Sequence, residues 1–217
     1  MKAAEILAHV DHTLLKQTAI WDDIQRICDE AVAYHTATVM VPSSFIPRIV
    51  AKYGDALKVA TVVGFPNGNC SLAAKVAETA QALADGAEEI DMVINIGMLK
   101  AGETDYVTNE IRTLKNLCGD RILKVIVETC FLTEEEKIAA CHCVTDGGAD
   151  IIKTSTGFGT AGAKLEDIEL FKKHIGPNVE MKAAGGIHTR EEMEAFLNAG
   201  CTRLGASAAV KVLKDEL

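Results

Sequence analysis

Two lysines in this sequence stand where an ammonium ion is costly. Lys153 closes the apolar run in "ADIIKTSTGFGT" (149–160), and Lys182 lies in "VEMKAAGG" (179–186); each is followed at once by a glycine turn. Desolvation disfavours the charged form of a lysine, and so does a second cation nearby. An ordinary lysine, with a pKa near 10.4, is protonated at neutral pH. Bringing it near 7 takes about 3 pK units, or roughly 4 to 5 kcal/mol of differential interaction. The product is a neutral amine, a nucleophile for carbonyl carbon. Its imine is an electron sink, so the adjacent carbon can form an enamine.

Other polar residues interrupt apolar runs in the same way. Asp11 falls in "HVDHTLL", Asp91 in "EIDMVIN", and Lys124 and Glu128 in "ILKVIVET". Asp91 is the candidate proton carrier, relaying through water. Charged groups on buried strands are costly unless paired, so a converging network is expected; an internal set of structural ion pairs is the alternative. Three glycine turns complete the picture: "STGFG" after Lys153, "AAGGI" after Lys182, and "LGASAAV" near the end. The last two are read as leading into helices. Backbone N–H groups in such turns, with a helix N-terminus behind them, bind anions. Three such turns around two lysines point to a phosphorylated substrate.

The elements that must position these residues are legible as alternation. Short β-branched runs occur at 9–15, 36–41, 58–65, 89–95, 122–129, 150–154, 179–186 and 202–207. Helical periodicity lies between them. In "CSLAAKVAETAQALADGA", Leu72, Val76, Thr79, Ala80 and Leu83 are assigned to one face, and Gly86 stops the helix. "TREEMEAFLNAG" opens on a threonine cap and closes at Gly200. Continuous apolar strands alternating with helices predict a parallel sheet. Eight such units in 217 residues predict a single (β/α)₈ TIM barrel over 1–217, with an open doubly wound sheet as the runner-up. The glycine turns are spread along the chain, and no G-x-G-x-x-G follows the first run, which favours the barrel. In a barrel, Lys153 and Lys182 end adjacent strands and their amines approach each other.

Bulk properties narrow the partners. A net charge of −9 gives no footprint for nucleic acid or an anionic membrane. No apolar run reaches membrane-spanning length, and the first 15 residues read against a signal peptide. Seven cysteines, an odd number in mostly apolar context, read as free thiols in a reducing cytoplasm. "CHCV" (141–144) lacks a second ligand pair at zinc spacing, so no metal is expected. The final "KDEL" is read as the frayed, charged end of a helix.

Taken in order, "HVDHTLL", "VVGFPNG", "EIDMVINIG", "LKVIVET", "IIKTSTGF", "KAAGGI" and "RLGAS" resemble the deoxyribose-phosphate aldolase family over nearly the whole chain. The resemblance implies a class I aldolase on a TIM barrel, working without a cofactor or metal. It would reversibly cleave 2-deoxy-D-ribose 5-phosphate to glyceraldehyde 3-phosphate and acetaldehyde. It implies Lys153 as the Schiff-base lysine, Lys182 as the lysine that tunes it and Asp91 as the acid/base partner, with Asp11 and Lys124 in support. Gly157, Gly185, Gly186, Gly205 and Ser207 match the phosphate positions. Ala184 and Ala208 stand where the family often has serine. The tyrosine-ended tail of some members has no counterpart, which shifts proton transfer toward Asp91 and water. A homodimer or homotetramer is expected. The competing functions are a sugar-phosphate isomerase without a covalent amine and a non-catalytic phosphosugar-binding protein on the same fold.

Overall fold

The structure is a computed structural model that describes residues 1–216. Eight parallel strands form a closed barrel in chain order: β1 (Val10–Thr13), β2 (Thr38–Val41), β3 (Val59–Val63), β4 (Glu89–Val93), β5 (Ile122–Ile126), β6 (Ile151–Lys153), β7 (Glu180–Ala184) and β8 (Arg203–Ala206). Asp11 pairs with Thr38 on one side and Gly205 on the other, so β1 and β8 close the ring. The predicted TIM barrel is therefore observed, and the open sheet is not.

Helices fill every crossover. They are α1 (Ala3–Leu7), α2 (Trp21–Tyr34), α3 (Ile46–Tyr53), α4 (Leu72–Ala84), α5 (Ile96–Lys100), α6 (Thr104–Cys118), α7 (Glu134–Asp146), α8 (Leu165–His174), α9 (Arg190–Ala199) and α10 (Ala209–Leu213). Local chemistry sets several of their ends. Thr189 caps α9 and forms a reciprocal box with Glu192, while Gly200 in the left-handed region stops it. Thr133 and Glu136 do the same for α7. The described residues end in a 3₁₀ turn, Lys214–Glu216, that runs directly on from α10; Leu217, the last residue of "KDEL", lies outside the described residues. Among the described residues no helix is long and apolar enough to cross a membrane.

Every strand is shorter than its apolar run, chiefly at the C-terminal end. The excess residues, such as Ile94, Val127 and Thr154, are buried at the start of the βα-loops. Burial is two-sided but unequal. Residues on the outer face of the strands, including Ile90, Met92, Leu123, Val125 and Ile152, join the helices in one large apolar core. Inside the barrel the apolar part is small: Met40, Ala60 and Val62, with Leu15 and Phe65 against them. Much of the remaining interior is taken up by charged side chains from β1 and β4 to β8.

The α4 face differs from its reading in the sequence. Ala80 is exposed, and Lys75, left outside the apolar set, is completely buried. Its Nζ donates to Glu110 Oε1 at 2.6 Å and to the Val93 carbonyl at 2.7 Å; Glu110 in turn accepts the Asn95 N–H at 3.0 Å. This pair ties α4 and α6 to the loop leaving β4. Its side chains are both fully buried, so removing one partner strands the other charge. We expect Lys75→Ala to lose about 3 to 5 kcal/mol of stability in denaturant unfolding, and Lys75→Met with Glu110→Leu to recover most of it.

Candidate active site

Strand register decides which charges meet. Lys153 on β6 pairs directly with Lys182 on β7, Lys182 with Arg203 on β8, and Asp91 on β4 with Lys124 on β5. All of these side chains reach the barrel interior. Asp91 is the junction: its Oδ2 accepts from Lys153 Nζ and Lys182 Nζ, each at 2.8 Å, and its Oδ1 accepts from Lys124 Nζ at 2.8 Å. The two lysine amines thus share one carboxylate oxygen, as neighbouring strands predict, although Lys182 lies in the middle of β7 and only Lys153 ends its strand. Asp11 accepts from Lys182, from Arg203 at 2.6 Å and from the Thr38 hydroxyl at 2.8 Å. Glu89 pairs with Lys124 at 2.5 Å and with Arg203 at 2.8 Å.

Counting charges identifies the odd member. Asp11, Glu89 and Asp91 balance Lys124, Lys182 and Arg203, leaving Lys153 as a fourth cation with a single carboxylate contact. Burial and then the neighbouring Lys182 push Lys153 down, and Asp91 only partly resists, so its pKa is lowered to about 8. That is about 3 kcal/mol of differential interaction. In Lys124, Asp91 and Asp11 the neighbouring charges favour the charged form instead. Burial opposes charge on Lys124, but Asp11, Asp91 and Glu89 outweigh it and raise its pKa. Burial likewise opposes ionisation of Asp91, but Lys124, Lys153 and Lys182 hold its pKa well below the usual carboxylate range. Asp91 therefore rests as a carboxylate, suited to accept a proton. Asp11 is also held low, against its burial, by Lys124, Lys182 and Arg203.

Of Lys153 and the four network residues expected beside it, only Lys153 lines a cavity. It lines a cavity of about 220 Å³ with Thr156, Gly157, Gly185, Gly186, Gly205 and Ser207. All five sequence-derived phosphate positions therefore surround the amine's cavity. Gly205 has a steric reason to be glycine: a β-carbon there would lie 2.8 Å from that of Ala184 and 3.2 Å from Lys182 Cε. The helices behind these turns differ from expectation. After "AAGGI" the chain runs on to the Thr189 cap before α9, and α10 has only five residues, so the anion-binding potential lies in the turns themselves. A second hollow of about 410 Å³ shares Leu15 with the cavity and carries Val62, Phe65 and Phe158. A larger one, about 650 Å³ between α6 and α7, holds none of the network.

Glu128 departs from its reading as a network member. The strand ends at Ile126, so Glu128 falls in the loop, where it accepts from the Thr156 backbone N–H and hydroxyl and from the Cys130 thiol. Glu89 and Arg203 are the members that sequence reading missed. Both are the first residue of their strand, where a charge reads as a solvated edge; their odd position opposite the alternating apolar residues was the available signal. In "CHCV", Cys141 and Cys143 are buried while His142 is exposed, so the three do not converge. Among the described residues no cluster of three or more metal-binding side chains occurs.

Comparison with known proteins agrees with this geometry. The pattern of the DeoC/LacD family aldolase matches residues 6–211. A deoxyribose-phosphate aldolase of Clostridium botulinum (strain Eklund 17B / Type B) is 63% identical over 216 residues, covering 100% of this chain and 98% of that protein. One from Streptococcus pyogenes serotype M4 is 51% identical, covering 100% and 97%. The tetrameric deoxyribose phosphate aldolase of Aeropyrum pernix superposes with a TM-score of 0.90 at 26% identity, covering 99% of this chain and 92% of that one.

The charge count makes a pH prediction. Only the neutral amine attacks a carbonyl, and a lowered lysine pKa means that its fraction grows as pH rises toward that value. Borohydride trapping of an aldehyde on Lys153 is expected to accelerate about tenfold per pH unit below pH 8 and to level off above it. In Lys182→Leu the cation that helps depress Lys153 is gone, so the midpoint of the trapping profile is expected to move to higher pH.

Proposed function

The chain belongs to the DeoC/LacD family of aldolases, and on that premise we propose that it reversibly cleaves 2-deoxy-D-ribose 5-phosphate to D-glyceraldehyde 3-phosphate and acetaldehyde. The observation that carries the reading is Lys153: a surplus cation, 3% exposed, beside another lysine and open to one cavity. In the proposed cycle its neutral amine attacks C1 of the open-chain sugar, and the carbinolamine loses water to give an iminium ion. The C3 hydroxyl then gives up its proton as the C2–C3 bond breaks, and the bonding pair flows to the iminium nitrogen as an enamine. Glyceraldehyde 3-phosphate departs. Protonation of the enamine at C2 and hydrolysis release acetaldehyde and restore the amine.

Asp91 fits the role of proton acceptor, since it rests as a carboxylate between both lysines. Lys182 tunes Lys153 by charge and returns protons through water. Lys124 and Asp11 hold Asp91 and Lys182 in place from the far side. Gly157, Gly185, Gly186, Gly205 and Ser207 are the proposed phosphate cradle, supported by their common place on the cavity wall. With Ala184 and Ala208 flanking them, the cradle relies on backbone N–H groups and on Ser207. No cofactor or metal enters this scheme. A cytoplasmic homodimer or homotetramer is the proposed state, and the tetrameric relative supports an assembly of that kind.

Incubation with acetaldehyde and borohydride is expected to add the mass of an ethyl group to Lys153; an unmodified Lys153 would contradict the proposal. Lys153→Ala is expected to remove cleavage of the sugar phosphate while circular dichroism shows an intact fold. Lys182→Leu is expected to lower kcat at pH 7 by about a hundredfold or more, without full recovery at high pH because proton return is also lost. Near wild-type turnover in either variant would overturn these roles.

A further inference from the structure

Glu128 is a buried carboxylate that the lysine network does not use. It is 2% exposed, and its backbone is left-handed at φ 55. A residue with a β-carbon holds that conformation where its surroundings impose it. Its carboxylate accepts the Thr156 backbone N–H at 3.1 Å and the Thr156 hydroxyl. The Cys130 thiol lies 3.9 Å from Oε1. Among the described residues its charge is balanced by no ion pair.

A buried carboxylate without a cation is costly, and a carboxamide would accept the same N–H. What the carboxylate adds is direction. It can only accept, so the Thr156 hydroxyl must give its hydrogen to Glu128. The hydroxyl oxygen is then an acceptor everywhere else. One lone pair takes the Phe158 N–H at 3.0 Å, and the other remains. Thr156 lines the reaction cavity together with Lys153, Gly157 and Gly185. The loop is seated hard on this support: a β-carbon on Gly159 would lie 2.8 Å from Cys130 Sγ and 3.2 Å from the Glu128 carboxylate.

We propose that Glu128 is a positioning residue that fixes the Thr156 hydroxyl as a hydrogen-bond acceptor for a hydroxyl group of the bound sugar phosphate, between the imine and the phosphate turns. The inference rests on the aldolase reading above. It separates two substrates of the same amine. Acetaldehyde carries no hydroxyl and needs only Lys153, whereas the sugar phosphate spans the cavity past Thr156.

The test compares both substrates in the full-length protein. Glu128→Gln keeps the size and the N–H acceptor but lets residue 128 donate to Thr156. It is expected to lower kcat/KM for 2-deoxyribose 5-phosphate about tenfold, the cost of one misdirected hydrogen bond, while acetaldehyde trapping on Lys153 stays within about twofold of the unaltered protein. Thr156→Val is expected to show the same split and Thr156→Ser to retain most activity; the Glu128→Gln, Thr156→Val pair should be no worse than Thr156→Val alone. Unchanged sugar-phosphate turnover, an equal loss of acetaldehyde trapping, or multiplying losses in the pair would each overturn the proposal. Should Glu128→Gln fail to fold, the contrast between Thr156→Val and Thr156→Ser decides the matter. Failure of the unaltered protein to trap acetaldehyde would instead refute the aldolase reading itself.

Discussion

Four cations face three carboxylates inside one barrel, and the surplus is the constraint on which the chemistry depends. Each charge would be prohibitive alone in so dry a place. Paired, three of the cations are secured by two or more carboxylates each, and the fourth by one. The proton that costs least to remove is therefore on Lys153. Reactivity here is a matter of charge accounting across six strands rather than of any single contact.

That accounting requires a closed barrel. An open sheet would leave β1 and β8 at opposite edges, and Asp11 could not bridge Lys182 and Arg203. Closure also divides the interior. Met40, Ala60 and Val62 make an apolar wall on β2 and β3, while the charged residues occupy the strands from β4 round to β1. The glycine turns line the cavity with Lys153, while Asp11, Asp91, Lys124 and Lys182 lie fully buried behind it.

The barrel and the two lysines were legible in the sequence because buried parallel strands are continuous apolar runs, and a lysine within one stands out. Strand ends were not, since Ile94, Val127 and Thr154 stay buried after the ladder stops and carry no mark of the change. That is why Glu128 was placed with the network although it serves the loop. Glu89 and Arg203 were hidden by lying at strand beginnings, where charge is ordinary. Lys75 was hidden for a related reason: on a helix a lysine is read as solvated, and only the packing of α4 against α6 shows its partner Glu110. Pairing across distant segments is what a linear pattern does not display.

Asp11 meets Arg203 across 192 positions and Lys182 across 171. The burial and the neighbouring lysines that lower the Lys153 pKa are consequently complete only once the final strand has docked. In an unravelled chain Lys153 is an ordinary lysine, protonated at neutral pH. The lowered pKa of the nucleophile is therefore a property of the closed barrel as a whole.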